Sequence, residues 1–135
     1  MRQLRDTDLK RFLRAYEREH PLSAHRIVIL LEDVEYPANV GSVFRLADAC
    51  GVEEVVLTGI TATPPDPTLD KVARGKQRQV PWRYERDPRV ALTDLREQGY
   101  TICALEVTAS AVPYHVYHYP DRVCLVAGHE DHGVT

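Results

Sequence analysis

Two short segments carry residues from which chemistry could be built. The first reads Asn39-Val-Gly41-Ser-Val-Phe-Arg45 and the second Gly128-His-Glu130-Asp-His-Gly133. In the first, Gly41 permits close backbone approach, and the opening turn of a helix offers free N–H groups to an anion. Arg45 is the only basic residue between positions 27 and 70, and it could reach a phosphate or a carboxylate. The bland alternative is an ion pair with a neighbouring carboxylate such as Asp48 or Glu53. In the second segment two glycines bracket two histidines and two carboxylates, which raises zinc. His129 and His132 are three apart, one short of the His-Glu-x-x-His spacing, and the tract reads as a loop. No metal is therefore expected. The segment reads as a glycine-flanked turn whose backbone meets a ligand, with Glu130 as its fixed polar group. A further tract, Tyr114-His-Val-Tyr-His-Tyr119, reads as an extended surface segment without chemistry.

Hydrophobic spacing predicts the elements that must position these residues. Residues 27–31, Ile-Val-Ile-Leu-Leu, are apolar at every position, as a strand covered on both faces requires. A loop over 32–38 leads into a helix with the stripe Val40, Val43, Phe44, Ala47, which Gly51 is placed to stop. Residues 55–58 make a second buried strand. The stretch 59–69 contains Pro64, Pro65 and Pro67 and is expected to be a loop without regular structure. Asp87-Pro88 has the capping and first-turn chemistry of a helix running to Gly99. Residues 101–106 and 122–127 are the remaining strands. This alternation predicts an α/β domain with a mainly parallel sheet and flanking helices. Ligands of such sheets sit at the carboxyl ends of the strands, where both segments fall. Ahead of the domain, Leu9, Phe12, Leu13 and Tyr16 predict an amphipathic helix over 7–19, capped by Asp6 or Thr7 and followed by Pro21. With Lys10, Arg11, Arg14 and Arg18 on its polar face, it reads as a basic extension, residues 1–24, of a domain over 25–135.

A chain of 135 residues, 44% hydrophobic and 27% charged, holds one globular domain, and its net charge of −3 excludes a disordered polyelectrolyte. The longest apolar run is five residues, too short to cross a bilayer, and the start MRQLRDTDLKRF lacks the apolar core of a secretory leader. Three cysteines, Cys50, Cys103 and Cys124, with no CxxC, are expected to be small buried residues of a reduced, cytoplasmic protein. The net charge conceals segregation. Residues 1–26 carry +3, 27–70 carry −7, 71–96 carry +5 and 97–135 carry −4. The basic blocks leave room for a nucleic-acid face, with Arg74, Lys76 and Arg78 as candidate phosphate contacts.

Taken together, the pieces resemble a known family. Asn39-x-Gly41-x-x-x-Arg45-x-Ala47, then Cys50-Gly-Val52 and the run from Val55 to Pro65, resemble the first motif of the SpoU/TrmH class of SPOUT RNA methyltransferases. The strand Val123-Cys-Leu-Val-Ala127 with Gly128-His-Glu130-Asp-His-Gly133-Val134 is similar to that family's second motif, though His129 stands where Asn or another small polar residue is more usual. Val80-Pro-Trp82 and the run from Gly99 to Glu106 are similar to further family segments. The resemblance covers roughly residues 25–135.

The resemblance implies an S-adenosylmethionine-dependent enzyme that methylates the ribose 2′-hydroxyl of tRNA or rRNA. It implies a SPOUT-type α/β domain with a trefoil knot, an exception to the usual unknotted topology, working as a cytoplasmic homodimer without metal or membrane. Carried onto this chain, Arg45 binds the target phosphate or helps activate the hydroxyl, with Asn39 and Glu130 orienting it. The backbone around Leu105, Gly128 and Val134 lines part of the cofactor pocket. A guanidinium gives up its proton only above about pH 12, so orienting a phosphate suits Arg45 better than acting as base. The family continues past its second motif through a Ser-Leu-Asn run and a final helix, which this sequence lacks. The chain is accordingly expected to be either part of a longer protein or a form that cannot methylate. The alternative to an enzyme is a non-catalytic RNA-binding module. A generic nucleotide-binding domain is disfavoured, because no GxGxxG follows the first strand and no GxxxxGK occurs.

Overall fold

The computed structural model describes residues 3–19 and 25–135. Five strands, β1 (Arg26–Glu32), β2 (Glu54–Thr58), β3 (Trp82–Glu85), β4 (Thr101–Ala104) and β5 (Arg122–Ala127), form one sheet in the order β3-β2-β1-β5-β4. Every strand pair is parallel. β1 is central, with Leu31 beside Leu57 on one flank and Ala127 on the other. Its unbroken apolar run follows from that position. Ile29 and Leu31 belong to the core on one face of the sheet, Val28 and Leu30 to the core on the other.

The first face is covered by α2 (Pro37–Cys50), which buries Val40, Phe44 and Ala47. Proline in its first turn needs no N–H there, and Gly51, left-handed at φ 64°, ends it by returning its N–H to the carbonyls of Ala47 and Asp48. A second helix, α3 (Pro67–Ala73), is pressed against α2. Gly41 makes this possible, since a Cβ there would stand 2.6 Å from the Leu69 carbonyl oxygen. The other face is covered by α4 (Pro88–Glu97) through Ala91 and Leu95.

The structure amends several expectations. The stretch 59–69 is not wholly irregular, because its end opens α3. Asp66 caps that helix by accepting the N–H groups of Thr68 and Leu69, both at 2.9 Å, and Pro67 fills its first turn. β3 was not expected. It is a four-residue edge strand whose residues are half-buried or exposed, so it lacks a continuous apolar run. β4 stops at Ala104, although the Leu105 N–H still reaches the Val126 carbonyl at 2.8 Å. Residues 114–119 are not extended. They begin in a turn, closed where the Val116 N–H meets the Pro113 carbonyl at 3.0 Å. Only one cysteine is buried, Cys124, whose thiol burial pushes up to about 12; Cys103 is half-buried and Cys50 exposed.

At the start of the chain, α1 (Asp6–Glu19) forms as expected but buries none of its residues. Pro21 and the boundary at residue 24 lie outside the described residues. Among the described residues no helix is long and apolar enough to cross a membrane.

Candidate functional site

The carboxyl ends of β1 and β5 bring the two chemical segments together, and Glu130 joins them. One of its carboxylate oxygens accepts the Glu35 N–H at 2.9 Å. The other accepts the Asn39 side-chain amide at 2.6 Å and the Tyr36 N–H at 3.3 Å. A carboxylate is well placed there, because the opening of α2 presents unpaired N–H groups and the positive end of the helix dipole. Desolvation works to raise the Glu130 carboxyl, but the bonds from Glu35, Asn39 and Tyr36 outweigh it and hold it below the usual range.

Glu130 can do this because its loop is tightly closed. The His129 N–H meets the Gly133 carbonyl at 3.1 Å, and the Gly133 N–H returns to the His129 carbonyl at 2.9 Å. Gly133 lies at φ 72°, and a Cβ on Gly128 would stand 2.2 Å from the Gly133 carbonyl oxygen. Both glycines are therefore required by the closure. Glu35, His129 and Asp131 each offer an atom within 4.8 Å of the others, a grouping that could hold a metal ion. The imidazole is already committed, however. Its Nδ1 accepts the Asp131 N–H at 3.0 Å, and its Nε2 lies 3.4 Å from a Glu35 carboxylate oxygen. The His129 ring also stacks on that of His132, with centroids 4.5 Å apart.

Two further carboxylates fix the strand ends around this loop. Buried Glu32 accepts both the N–H and the hydroxyl of Thr135. Glu106 accepts the Val134 N–H at 3.0 Å and the Val107 N–H at 2.9 Å, bonds that hold its carboxyl below the usual range. Neither residue was singled out in the sequence. Their partners are backbone N–H groups, which leave no mark in residue type or spacing, and the one available signal was a Glu ending the apolar run of β1.

Leu105, Gly128 and Val134 come to the wall of one cavity of about 590 Å³, together with Glu106, Glu130 and Asp131. A second cavity of about 680 Å³ shares Leu105 and Glu106 and adds Tyr114, Tyr117 and Tyr119. The tract assigned no chemistry thus lines a cleft.

Arg45 is not brought to the Asn39–Glu130 pair. It follows Asn39 by six residues, which on a helix is about 240° round and about 9 Å along the axis. It is exposed and makes no ion pair or hydrogen bond among the described residues. The carboxylates that might have neutralised it are taken. Asp48 pairs with Lys76 at 2.7 Å, and Glu53 accepts the Tyr100 hydroxyl and lies 3.9 Å from Arg26. Lys76 thereby fastens the short 3-10 turn Lys76–Arg78 to α2, while Arg74, left-handed at the end of α3, and Arg78 remain exposed.

The chain is 29% identical over 113 residues to the 23S rRNA (guanosine-2′-O-)-methyltransferase RlmB of Neisseria meningitidis, covering 84% of this chain and 45% of that protein. It is 31% identical over 111 residues to the tRNA (guanosine(18)-2′-O)-methyltransferase of Escherichia coli, covering 81% of this chain and 47% of that one. The chain thus spans about half the length of these relatives. The structure of an AdoMet-bound rRNA methyltransferase from Sinorhizobium meliloti superposes with a TM-score of 0.74 at 24% identity, covering 87% of this chain and 45% of that one. The model of the SpoU rRNA Methylase family matches residues 26–135, the whole sheet and both segments that Glu130 ties together, and the chain belongs to that family.

Proposed function

We propose that the protein serves S-adenosylmethionine-dependent methylation of a ribose 2′-hydroxyl in tRNA or rRNA. The observation that carries this reading is the bond between Asn39 and Glu130, 91 residues apart, which closes the opening of α2 onto a cavity at the carboxyl ends of the strands. The residues present suit the cofactor. The cavity has carboxylates and no lysine or arginine on its wall, as a cationic sulfonium and ammonium would favour. Bound there, the cofactor would supply an electrophilic methyl group, and the work left to the protein is alignment of the 2′-oxygen and acceptance of its proton. Leu105, Gly128 and Val134 would hold the cofactor. Asn39 and Glu130 are spent on one another and on backbone, so they orient rather than take up protons. A 2′-hydroxyl target restricts the substrate to RNA.

Arg45, exposed and unpaired among the described residues, suits presentation to the site of a second subunit, where it would hold the target phosphate. A homodimer with a knotted domain over 25–135, preceded by a basic extension over 1–24, follows from the same reading. Arg74 and Arg78, beside α2, would add phosphate contacts that weaken with salt, with Lys76 contributing through its exposed part. A reaction on tRNA or rRNA places the protein in the cytoplasm.

Calorimetric titration of the chain with S-adenosylhomocysteine tests this reading, and micromolar binding is the expected result. A folded chain that binds RNA but no S-adenosylhomocysteine would replace it with the RNA-binding module. Arg45→Ala should leave cofactor affinity within about twofold and lower methyl transfer by at least about tenfold, the scale of a lost charged positioning contact. Unchanged transfer would remove Arg45 from the mechanism.

A further inference from the structure

Resting on the methyltransferase reading, we propose that Glu106 makes the cofactor cavity prefer the cationic cofactor over its neutral product. An exposed glutamate ordinarily swings freely, and its charge is smeared into solvent. Glu106 is different, because both oxygens are held by backbone. One accepts the Val134 N–H at 3.0 Å and the other the Val107 N–H at 2.9 Å. The carboxylate also lies close over Gly133, where a Cβ would stand 2.0 Å from the nearer Glu106 oxygen. The residue before it continues the pairing with β5 through the Val126 carbonyl, so the backbone that carries the carboxylate is also held.

The placement of this charge matters. Glu106 and Leu105 are on the walls of both the 590 Å³ and the 680 Å³ cavities, so the carboxylate stands where the two meet. A carboxylate has roughly four acceptor directions, and the two backbone bonds leave about half of them for a ligand. Methyl transfer changes the charge of what fills such a slot. The 2′-oxygen lone pair forms a bond to the methyl carbon, the carbon–sulfur bond breaks, and its electron pair returns to sulfur. The 2′-hydroxyl proton leaves to an acceptor. The sulfonium thereby becomes a neutral thioether, and attraction to a fixed carboxylate is lost with the positive charge. Glu106 so holds the reactant more tightly than the spent product, which eases exchange after each turnover.

The test measures affinity for S-adenosylmethionine and S-adenosylhomocysteine by calorimetry in the wild-type chain, Glu106→Gln and Glu106→Asp. Glu106→Gln keeps the size and removes the charge. It is expected to weaken S-adenosylmethionine binding about fivefold more than S-adenosylhomocysteine binding, the scale of one charge pair about 4 Å apart in watery surroundings. Glu106→Asp retains the charge and should restore most of that difference. Equal weakening of both ligands, or of neither, with unfolding midpoints near wild type, would overturn the inference while leaving the methyltransferase reading intact. A folded wild-type chain that binds neither ligand would instead overturn that reading, and this inference with it.

Discussion

Helices α1 and α2 are both 14 residues long and both carry an apolar stripe, yet they meet opposite fates. The stripe of α1 is the more sharply segregated, with Leu9, Phe12, Leu13 and Tyr16 opposite a basic face, and those four side chains are 39–51% exposed. The weaker stripe of α2 is sunk into the core, with Val40, Phe44 and Ala47 fully covered. Amphipathic spacing therefore tells which face seeks cover and not whether the chain supplies it. α2 has a sheet beneath it because the strands on either side of it in sequence pair with each other. No strand precedes α1 among the described residues.

The contrast can be broken most decisively at its buried end. Phe44→Ala should cost about 3–5 kcal/mol of unfolding free energy, the usual range for an aromatic side chain removed from a packed core. A denaturant titration showing a loss below about 1 kcal/mol would mean that α2 is held by something other than its stripe. Gly41→Ala should be destabilising by about 1–3 kcal/mol or more, because the new methyl meets the Leu69 backbone oxygen and must push α3 away. Neutrality at that position would show that the two helices have slack between them.

The site offers a smaller, pH-dependent handle on the same contrast. Glu130 is held below the usual carboxylate range by its contacts at the head of α2, so those contacts stabilise the folded state above the unfolded-chain value, near 4.5, and are lost as pH falls through the lower folded value. Melting followed from pH 7 to pH 3 should show this acid loss reduced in Glu130→Gln. An identical acid profile for the two chains would remove Glu130 as the link. The smallest effect belongs to α1. Phe12→Ala should change stability by no more than about 0.5 kcal/mol, as surface substitutions do. A loss of 2 kcal/mol or more would reveal a cover for the stripe, and the two helices would cease to differ.

Legibility in the sequence followed the range of the interactions. β1, β2, α2 and α4 were readable because their signals are local, in apolar runs, stripes and caps. Asp87-Pro88 shows plainly as a helix start, whereas Asp66-Pro67, with the same cap and the same first-turn proline, is hidden by the two prolines just ahead of it. β3 was missed because an edge strand, half wet, has no apolar run to show. At the site, Asn39, Glu130 and the flanking glycines were visible by type and spacing. That Glu130 would reach N–H groups at positions 35 and 36, or that Glu106 would hold residue 134, depends on which loops the sheet order makes neighbours. The same dependence governs Arg45, since the carboxylates that offered it an alternative partner, Asp48 and Glu53, are engaged by Lys76, Arg26 and Tyr100.

The order of the strands also sets a timetable for the molecule's assembly. Among the described strands β1 comes first in the chain and lies innermost in the sheet, and one of its two neighbours, β5, follows it by more than ninety residues, so that Leu31 waits for Ala127. Translation at about 5–20 residues per second leaves that flank of β1 unpaired for roughly 5–20 s. Throughout that interval an edge of isoleucine, valine and leucine is open to any other extended chain. Contacts so distant along the polypeptide must be closed at an entropic cost before they stabilise the sheet, which slows their formation. Nascent chains are therefore most exposed to misassembly before β5 emerges, and a chaperone that shields β1 would act in that window.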